Sequence, residues 1–197
     1  MKPASKGIGL FGGTFDPVHN GHLMIAEWLT EVLEIETTYF IPTKIHPFDK
    51  REDITAEHHR VNMLQEVLKD YPKFSLSDYE ISKTNVSYSI DTIQYYNEKM
   101  PGRKLYFFIG SDNLDSFLKW KEPMEILNIC HIVVYSRSHS YAENDLYNHP
   151  KVLSVASPII EISSSQIRRR ISRQMPYKSL VPKSVFEYIN QNKLYLT

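Results

Sequence analysis

Short apolar runs alternate with segments of helical periodicity along most of this chain, and this alternation restricts its fold more than any other feature. The runs are rich in β-branched and aromatic residues, as in strands whose two faces are both covered, and they span 8–11, 37–41, 74–77, 105–109, 131–135 and 159–162. Helical spacing of apolar residues predicts helices between them, among others at 56–69, 89–99 and 164–173. The alternation predicts an α/β fold: a single Rossmann-like, doubly wound parallel sheet with helices on both faces.

The length and composition suit one domain over residues 1–197, with 42% hydrophobic and 23% charged residues. Lys plus Arg and Asp plus Glu both number 23, so no basic excess indicates a nucleic-acid partner. Residues 1–6 contain no apolar signal segment, and no apolar run approaches the roughly 20 residues that cross a bilayer. We therefore expect a cytoplasmic protein with no membrane association, and the sequence leaves open whether it forms a homo-oligomer.

Ligands of such sheets bind beyond the carboxyl ends of the strands, near the point where the strand order reverses. That rule predicts where functional residues lie, namely in the segments 12–22, 42–48, 110–120, 135–137 and 162–168. The chemically distinctive residues of the chain fall in these segments.

The segment 12–22, Gly-Gly-Thr-Phe-Asp-Pro-Val-His-Asn-Gly-His, follows the first predicted strand and opens a helix. Gly12 and Gly13 let the backbone come close to a ligand, and the first helical turn leaves N–H groups that attract an anion. His19 and His22 are three residues apart, so both imidazoles can face one site at the helix start. Imidazoles beside unpaired N–H groups suit a polyphosphate.

Other interpretations of this segment remain. The plainest is a capped helix with two surface histidines. A metal-binding pair is less favoured, because no Cys or nearby Glu completes a zinc site and Cys130 is the sole cysteine. The chain has neither the Gly-x-x-x-x-Gly-Lys-Ser/Thr string of a P-loop nor a Gly-x-Gly-x-x-Gly after the first strand.

A second helix start with anion-binding character lies near residue 163. Ser163 and Gln166 have the Ser-x-x-Gln spacing of a capping box, which predicts a helix N-terminus at the end of a strand. Arg168 lies in the first turns of that helix, and its planar guanidinium suits phosphate. For Arg169, Arg170 and Arg173 we favour a solvated helix face.

The segment 12–22 resembles the signature of the nucleotidyltransferase superfamily and, more narrowly, that of the bacterial nicotinate-mononucleotide adenylyltransferases. The His-x-Gly-His core is moderately specific, and the extended string is strongly specific. Further segments resemble that family in order along nearly the whole chain. They are Ser-Tyr-Ser-Ile-Asp-Thr-Ile at 87–93, Gly-Ser-Asp-Asn-Leu at 110–114 with Trp120 after it, Ile-Ser-Ser-Ser-Gln-Ile-Arg at 162–168, and the carboxyl-terminal pattern from Val181-Pro182 to Leu194-Tyr195.

The resemblance implies an ATP site built from both helix starts. His19 and His22 would hold the phosphates, Ser165 and Arg168 would bind the β- and γ-phosphates, and Asp112 would take the ribose hydroxyls. The full implied ATP-binding set is Gly12, Gly13, Thr14, Phe15, His19, His22, Gly110, Asp112, Ser165 and Arg168.

The resemblance also implies a site for the mononucleotide. Trp120 would stack on the pyridine ring, and Tyr88 and Ser89 would present backbone groups near the nicotinate carboxylate. The implied residues are Thr14, His46, Tyr88, Ser89, Trp120 and Arg137.

The loop at 42–50 departs from the family pattern, which has Pro-Pro-His-Lys at this point. His46 stands where the family has its His. The family's Lys corresponds to Lys44 or Lys50; the spacing does not decide between them, and we favour Lys44 because it is nearer the strand end.

The expected reaction is direct adenylyl transfer from ATP to nicotinate mononucleotide, without a covalent enzyme intermediate. The 5′-phosphate is already anionic, so no protein nucleophile is needed, and catalysis would rest on positioning and charge neutralisation. His19, His22, Lys44 and Arg168 would be the catalytic residues, with Mg²⁺ held mainly by the ATP phosphates and no metal site on the protein.

Two alternatives stay open at this point. An adenylyltransferase of the same superfamily acting on nicotinamide mononucleotide or phosphopantetheine is the nearer one. A non-catalytic nucleotide sensor is the other, and the intact His19, His22, Asp112 and Arg168 count against it.

Overall fold

The computed structural model describes residues 7–44, 54–84, 86–136 and 144–196. In these ranges the strands are β1 Ile8–Gly13, β2 Thr37–Pro42, β3 Phe74–Leu76, β4 Leu105–Gly110, β5 His131–Tyr135 and β6 Val152–Val155. The α-helices are α1 Asn20–Val32, α2 Glu57–Leu68, α3 Ser89–Lys99, α4 Ser111–Leu114, α5 Pro123–Ile129, α6 Ser164–Ser172 and α7 Lys183–Gln191. Short 3₁₀ helices lie at Phe117–Lys119, Asp145–Asn148 and Lys178–Leu180.

The strands form one sheet in the order β3-β2-β1-β4-β5-β6, and every neighbouring pair is parallel. This confirms the predicted doubly wound α/β fold. The strand order reverses between β1 and β4, so the crevice expected to bind ligands opens beyond the ends of these two strands.

Two apolar layers cover the two faces of the sheet. One layer includes residues of α1, α2, α6 and α7 and takes Phe11 and Phe108 from the central strands. The other includes residues of α3 and α5 and takes Leu10 and Phe107 from the same strands. Neighbouring strand residues therefore face opposite layers, which is why the central strands are apolar almost throughout.

Most predicted strands and helices occur within one or two residues of their expected bounds, but the strand predicted at 159–162 is wrong. The last strand is β6, and residues 156–163 form neither a strand nor a helix. β6 lies at the sheet edge, where Val152 is buried and Ser154 is exposed, so its apolar signal is weak. The apolar residues Ile160 and Ile162 instead pack partly buried against the core.

Among the helices in the described parts of the chain, none is both long and apolar enough to cross a membrane.

Candidate active site

Two adjoining cavities open at the carboxyl end of the sheet, and both are within the volume range of small-ligand sites. The aromatic cavity has a volume of about 550 Å³, and Tyr88, Phe107 and Trp120 are among its lining residues. The histidine cavity has a volume of about 610 Å³, and His19 and His22 are among its lining residues. Both are lined by Phe11, Gly12, Gly13 and Tyr135, so the cavities meet at the end of β1.

The turn from β1 to α1 contains an unusual backbone conformation at Phe15. Its φ of 49° is in the left-handed region, which few non-glycine residues adopt. The Phe15 ring is buried, with its centroid 5.7 Å from that of Phe11 and 5.0 Å from that of His22. This aromatic packing stabilises a turn that brings the Thr14 backbone and the histidines to the same cavity.

His19 and His22 cap the start of α1 through each other. The backbone N–H of His22 donates to Nδ1 of His19, and the backbone N–H of His19 donates to Nδ1 of His22, both at 3.3 Å. The two rings are stacked with centroids 3.6 Å apart. An Nδ1 that accepts a hydrogen bond carries no proton, so each neutral ring has its N–H donor at Nε2.

Gly21 lies between the two histidines, where a side chain would fit only if its neighbours shifted slightly. A Cβ atom there would lie 3.1 Å from Nδ1 of His19 and 3.2 Å from Cγ2 of Ile160. The glycine in the His-x-Gly-His sequence is therefore explained by the close contact with the His19 ring.

Arg168 lies on α6 but reaches back to the turn after β1. Its Nη1 donates to the carbonyl oxygen of Asp16 at 2.7 Å and lies 3.8 Å from Oδ2 of Asp16. Asp16 is almost fully buried, and its Oδ1 accepts a hydrogen bond from the Tyr195 hydroxyl at 2.8 Å. Burial raises the pKa of the Tyr195 phenol, and the charge of Asp16 raises it further. Asp16 thus connects three chain segments and holds Arg168 at the cavity.

The start of α6 forms another wall of the histidine cavity. The Ser163 side chain accepts a hydrogen bond from the N–H of Gln166 at 3.2 Å, which confirms the predicted cap. Ser164 Oγ donates to the carbonyl oxygen of Pro17 at 2.9 Å and attaches α6 to the β1–α1 turn. Ser165 lines the cavity beside Arg168. The starts of α1 and α6 therefore face one cavity, as expected of an anion site.

Trp120 forms a flat wall of the aromatic cavity. Its ring lies edge-on to Phe107, with centroids 6.1 Å apart, and 5.3 Å from the ring of Phe117. Tyr88 and Ser89, at the start of α3, line the cavity as well. The three residues predicted to surround the pyridine ring therefore share one cavity.

Glu80 also lines the aromatic cavity and was not predicted from the sequence. It is almost fully buried, and its Oε1 accepts a hydrogen bond from the Thr92 hydroxyl at 2.7 Å. Its Oε2 and the nearby Ser87 Oγ are buried without hydrogen-bond partners in the described structure. Burial raises the pKa of the Glu80 carboxyl, and the hydrogen bond from the Thr92 hydroxyl opposes the rise. No periodicity in the sequence distinguishes this residue from a surface glutamate.

Arg60 is a second residue that sequence reasoning missed. Although it is only 1% exposed, its guanidinium donates to the carbonyl oxygens of Thr14 at 2.6 Å, Thr43 at 2.9 Å and Thr55 at 3.0 Å. It therefore ties the turn after β1 to the segment after β2. Its helical spacing to the buried Met63 could have identified it as an arginine on an apolar helix face.

Some predicted site residues lie elsewhere in the structure. Lys44 Nζ donates to the Ile81 carbonyl at 3.2 Å and lies 3.7 Å from Oε2 of Glu57, and neither cavity's described lining includes it. Asp112 is exposed in the first turn of α4 and lies outside both described linings. Gly110, which was predicted to bind ATP, lines the aromatic cavity. His46, Lys50 and Arg137 lie outside the described residues, so the choice between Lys44 and Lys50 stays a prediction.

Comparisons with known proteins agree with this geometry. Residues 10–170 match the model of the cytidylyltransferase-like family. The nicotinate-nucleotide adenylyltransferase of Bacillus subtilis (strain 168) is 35% identical over 190 residues, which are 96% of this chain and 98% of that protein.

Solved structures of a nicotinic acid mononucleotide adenylyltransferase from Plasmodium falciparum have the same fold. The one complexed with NaAD has a TM-score of 0.82 at 23% identity, and the one complexed with APC has a TM-score of 0.80 at 24% identity. Each comparison covers 96% of this chain and 97% of the other.

The sheet order and the family match together define the class of protein, a nucleotidyltransferase of the cytidylyltransferase-like type. The relative from B. subtilis narrows the class, because the match extends over nearly the whole of both chains. The chain belongs to the nicotinate-nucleotide adenylyltransferase family, as its sequence motifs predicted.

Proposed function

We propose that this protein transfers the adenylyl group of ATP to nicotinate mononucleotide, giving nicotinate adenine dinucleotide and pyrophosphate, a step of NAD biosynthesis. The observation that carries the proposal is the pair of adjoining cavities, one polar with two helix starts and one aromatic, which share Gly12 and Gly13. A triphosphate in the first and a pyridine nucleotide in the second would meet at the end of β1. The family to which the chain belongs supports the same reaction.

The chemistry needs no group of the protein as nucleophile. An oxygen of the mononucleotide 5′-phosphate attacks the α-phosphorus of ATP, a new P–O–P bond forms, and the bond from the α-phosphorus to the bridging oxygen breaks. Pyrophosphate leaves with the electron pair of that bond. The protein contributes by holding the two phosphates in line and by stabilising the negative charge that builds on the leaving group.

His19 and His22 serve in this proposal as phosphate donors. Their mutual cap leaves Nε2–H as the donor in each neutral ring, so both can donate to phosphoryl oxygens without first binding a proton. The same hydrogen bonds restrict rotation of the rings, and donors that are already oriented lose little entropy when the nucleotide binds.

Arg168 and Ser165, both on α6, serve in the proposal as further phosphate-binding residues. Arg168 is oriented by the Asp16 carbonyl, and the N-terminus of α6 adds a partial positive charge. Gly12 and Gly13 allow the substrates to approach the β1 backbone at the junction. Trp120 offers its ring face to the pyridine of the mononucleotide.

Mg²⁺ enters the proposal through ATP. In the described ranges, no group of three or more His, Cys, Asp or Glu side chains could hold a metal ion. Asp16 is a carboxylate that lines the histidine cavity. It already accepts a hydrogen bond from Tyr195 and contacts Arg168. In the proposal, Mg²⁺ is therefore bound mainly by the phosphates of ATP, and it partly neutralises their negative charge.

The test is a turnover assay with the purified protein, ATP, Mg²⁺ and nicotinate mononucleotide. We expect pyrophosphate and nicotinate adenine dinucleotide to form in equal amounts. Nicotinamide mononucleotide and phosphopantetheine are the comparison substrates. A higher kcat/KM for either of these, or ATP binding without pyrophosphate release for all three, would contradict the proposal.

A further inference from the structure

Three charged residues line the aromatic cavity in the described part of the chain: Glu80, Lys119 and Lys121. Glu80 is almost fully buried in the wall, where its Oε1 accepts a hydrogen bond from the Thr92 hydroxyl. The two lysines flank Trp120 in the sequence. Two ammonium groups therefore belong to the wall that carries the Trp120 ring.

Lys121 is the better positioned of the two lysines. Its Nζ lies 3.2 Å from Oδ1 of Asp91 and 4.9 Å from the centroid of the Tyr88 ring. Asp91 belongs to the first turn of α3, and Tyr88 is the N-cap residue of the same helix. The ammonium group is thus held at the start of α3, in the wall of the cavity where the proposed function seats the pyridine ring.

Asp91 does not neutralise this region by itself. Its Oδ2 lies 3.9 Å from Nζ of Lys83, so a single carboxylate is shared by two ammonium groups. The Lys121 side chain is 43% exposed and that of Asp91 is 30% exposed, so water screens the pair only in part. Lys121 therefore shares its carboxylate partner with Lys83 and keeps its ammonium group beside the Tyr88 ring.

The acid and amide forms of the mononucleotide differ by one negative charge on the pyridine substituent. We propose that Lys121, positioned by Asp91, is a specificity-determining residue that makes the protein prefer nicotinate over nicotinamide mononucleotide. This inference rests on the proposed function and concerns the same site. An ammonium about 6 Å from a carboxylate, partly screened by water, favours the acid by about three- to tenfold.

Lys121→Met keeps most of the side-chain length and removes the charge, and Lys121→Arg keeps the charge. The matched control is Lys99→Met: Lys99 also has its Nζ near a tyrosine ring, 5.1 Å from the Tyr95 centroid, but lies outside the described lining of the cavity. The measurement is kcat/KM for nicotinate and nicotinamide mononucleotide at saturating ATP, together with KM for ATP.

We expect Lys121→Met to lower the acid-to-amide ratio of kcat/KM by about three- to tenfold, mainly through a higher KM for the acid. Lys121→Arg and Lys99→Met should keep the wild-type ratio within about twofold, and KM for ATP should not change. Raising the ionic strength from about 0.05 M to 0.5 M should lower the ratio in the wild type more than in Lys121→Met.

An unchanged ratio in Lys121→Met would overturn the inference, and so would an equal loss in Lys99→Met. If turnover of the amide is too slow to measure, KM for the acid decides alone: a rise confined to Lys121→Met supports the inference, and no rise overturns it. A wild-type protein that forms no dinucleotide from nicotinate mononucleotide would instead contradict the proposed function.

Discussion

The histidine cavity and the aromatic cavity adjoin each other but are built in different ways. The histidine cavity is made mostly of two continuous segments, the β1–α1 turn and the approach to α6. The aromatic cavity takes its walls from many separate segments, from the end of β1 to Trp120 and Tyr135. The first depends on caps that local sequence encodes, and the second depends on how the whole sheet assembles. We therefore expect substitutions in the first to affect ATP and the chemical step, and those in the second to affect the mononucleotide.

The largest effect is expected at His22. His22→Ala removes a preoriented phosphate donor, and kcat/KM should fall by about 100-fold or more. His58→Ala, at an exposed histidine of α2, is the control and should keep full activity. Steady-state kinetics of both variants decide the matter, and undiminished kcat/KM in His22→Ala would remove the role we give to that ring.

Arg168 should show the next largest effect, on ATP alone. Arg168→Met removes a charged donor at the histidine cavity, and KM for ATP should rise by about tenfold or more, because hydrogen bonds to charged groups contribute about 1.5–3 kcal/mol. Arg168→Lys should recover only part of the loss. An equal rise of KM for the mononucleotide would show that the two cavities are not separate in function.

Trp120 provides the reciprocal experiment in the aromatic cavity. Trp120→Ala should raise KM for the mononucleotide by about five- to tenfold, because a stacked aromatic pair contributes about 0.5–1.5 kcal/mol beyond its buried area. Trp120→Phe should recover much of this, and KM for ATP should stay constant in both. A change confined to ATP would contradict the assignment of the two cavities.

The smallest effect is expected at Glu80 and concerns stability. Burial raises the pKa of this carboxyl in the folded state, so the folded state binds the proton more tightly than the unfolded state does. Its contribution to stability is present at pH values below the ordinary glutamate pKa and is lost as the pH rises towards the folded pKa.

Glu80→Gln does not titrate, so its free energy of unfolding should improve relative to the wild type as the pH rises from the ordinary glutamate range to neutrality. Urea unfolding at several pH values measures this difference. Glu66→Gln, at an exposed glutamate paired with Lys69, is the surface control. Parallel pH profiles for Glu80→Gln and the wild type would contradict the effect of burial.

The same contrast explains what the sequence could and could not predict. The cap at Ser163 depends on Gln166 three positions later and was predicted, as was the helix start that carries His19 and His22. Glu80 meets Thr92 across 12 residues, and Arg60 meets Thr14 across 46 residues. Neither long-range contact can be predicted from local sequence, although the spacing of Arg60 to Met63 places that arginine on an apolar helix face.

At the level of the fold, periodicity predicted the buried central strands but not the edge. β1 and β4 are covered on both faces and are apolar almost throughout, whereas β6 has an exposed Ser154 and was missed. Lys44 was favoured over Lys50 for its nearness to a strand end. Its ammonium lies beside Glu57 and the Ile81 carbonyl, and the choice between the two lysines stays a prediction.

A crystal structure of the protein with bound nicotinate adenine dinucleotide tests the central claim most directly. We predict that the pyridine ring lies on Trp120, that the pyrophosphate bridge lies against Gly12 and Gly13, and that the bridge enters the histidine cavity within hydrogen-bonding distance of His19 or His22. A dinucleotide lying wholly within one cavity, or with its bridge remote from β1, would contradict the account.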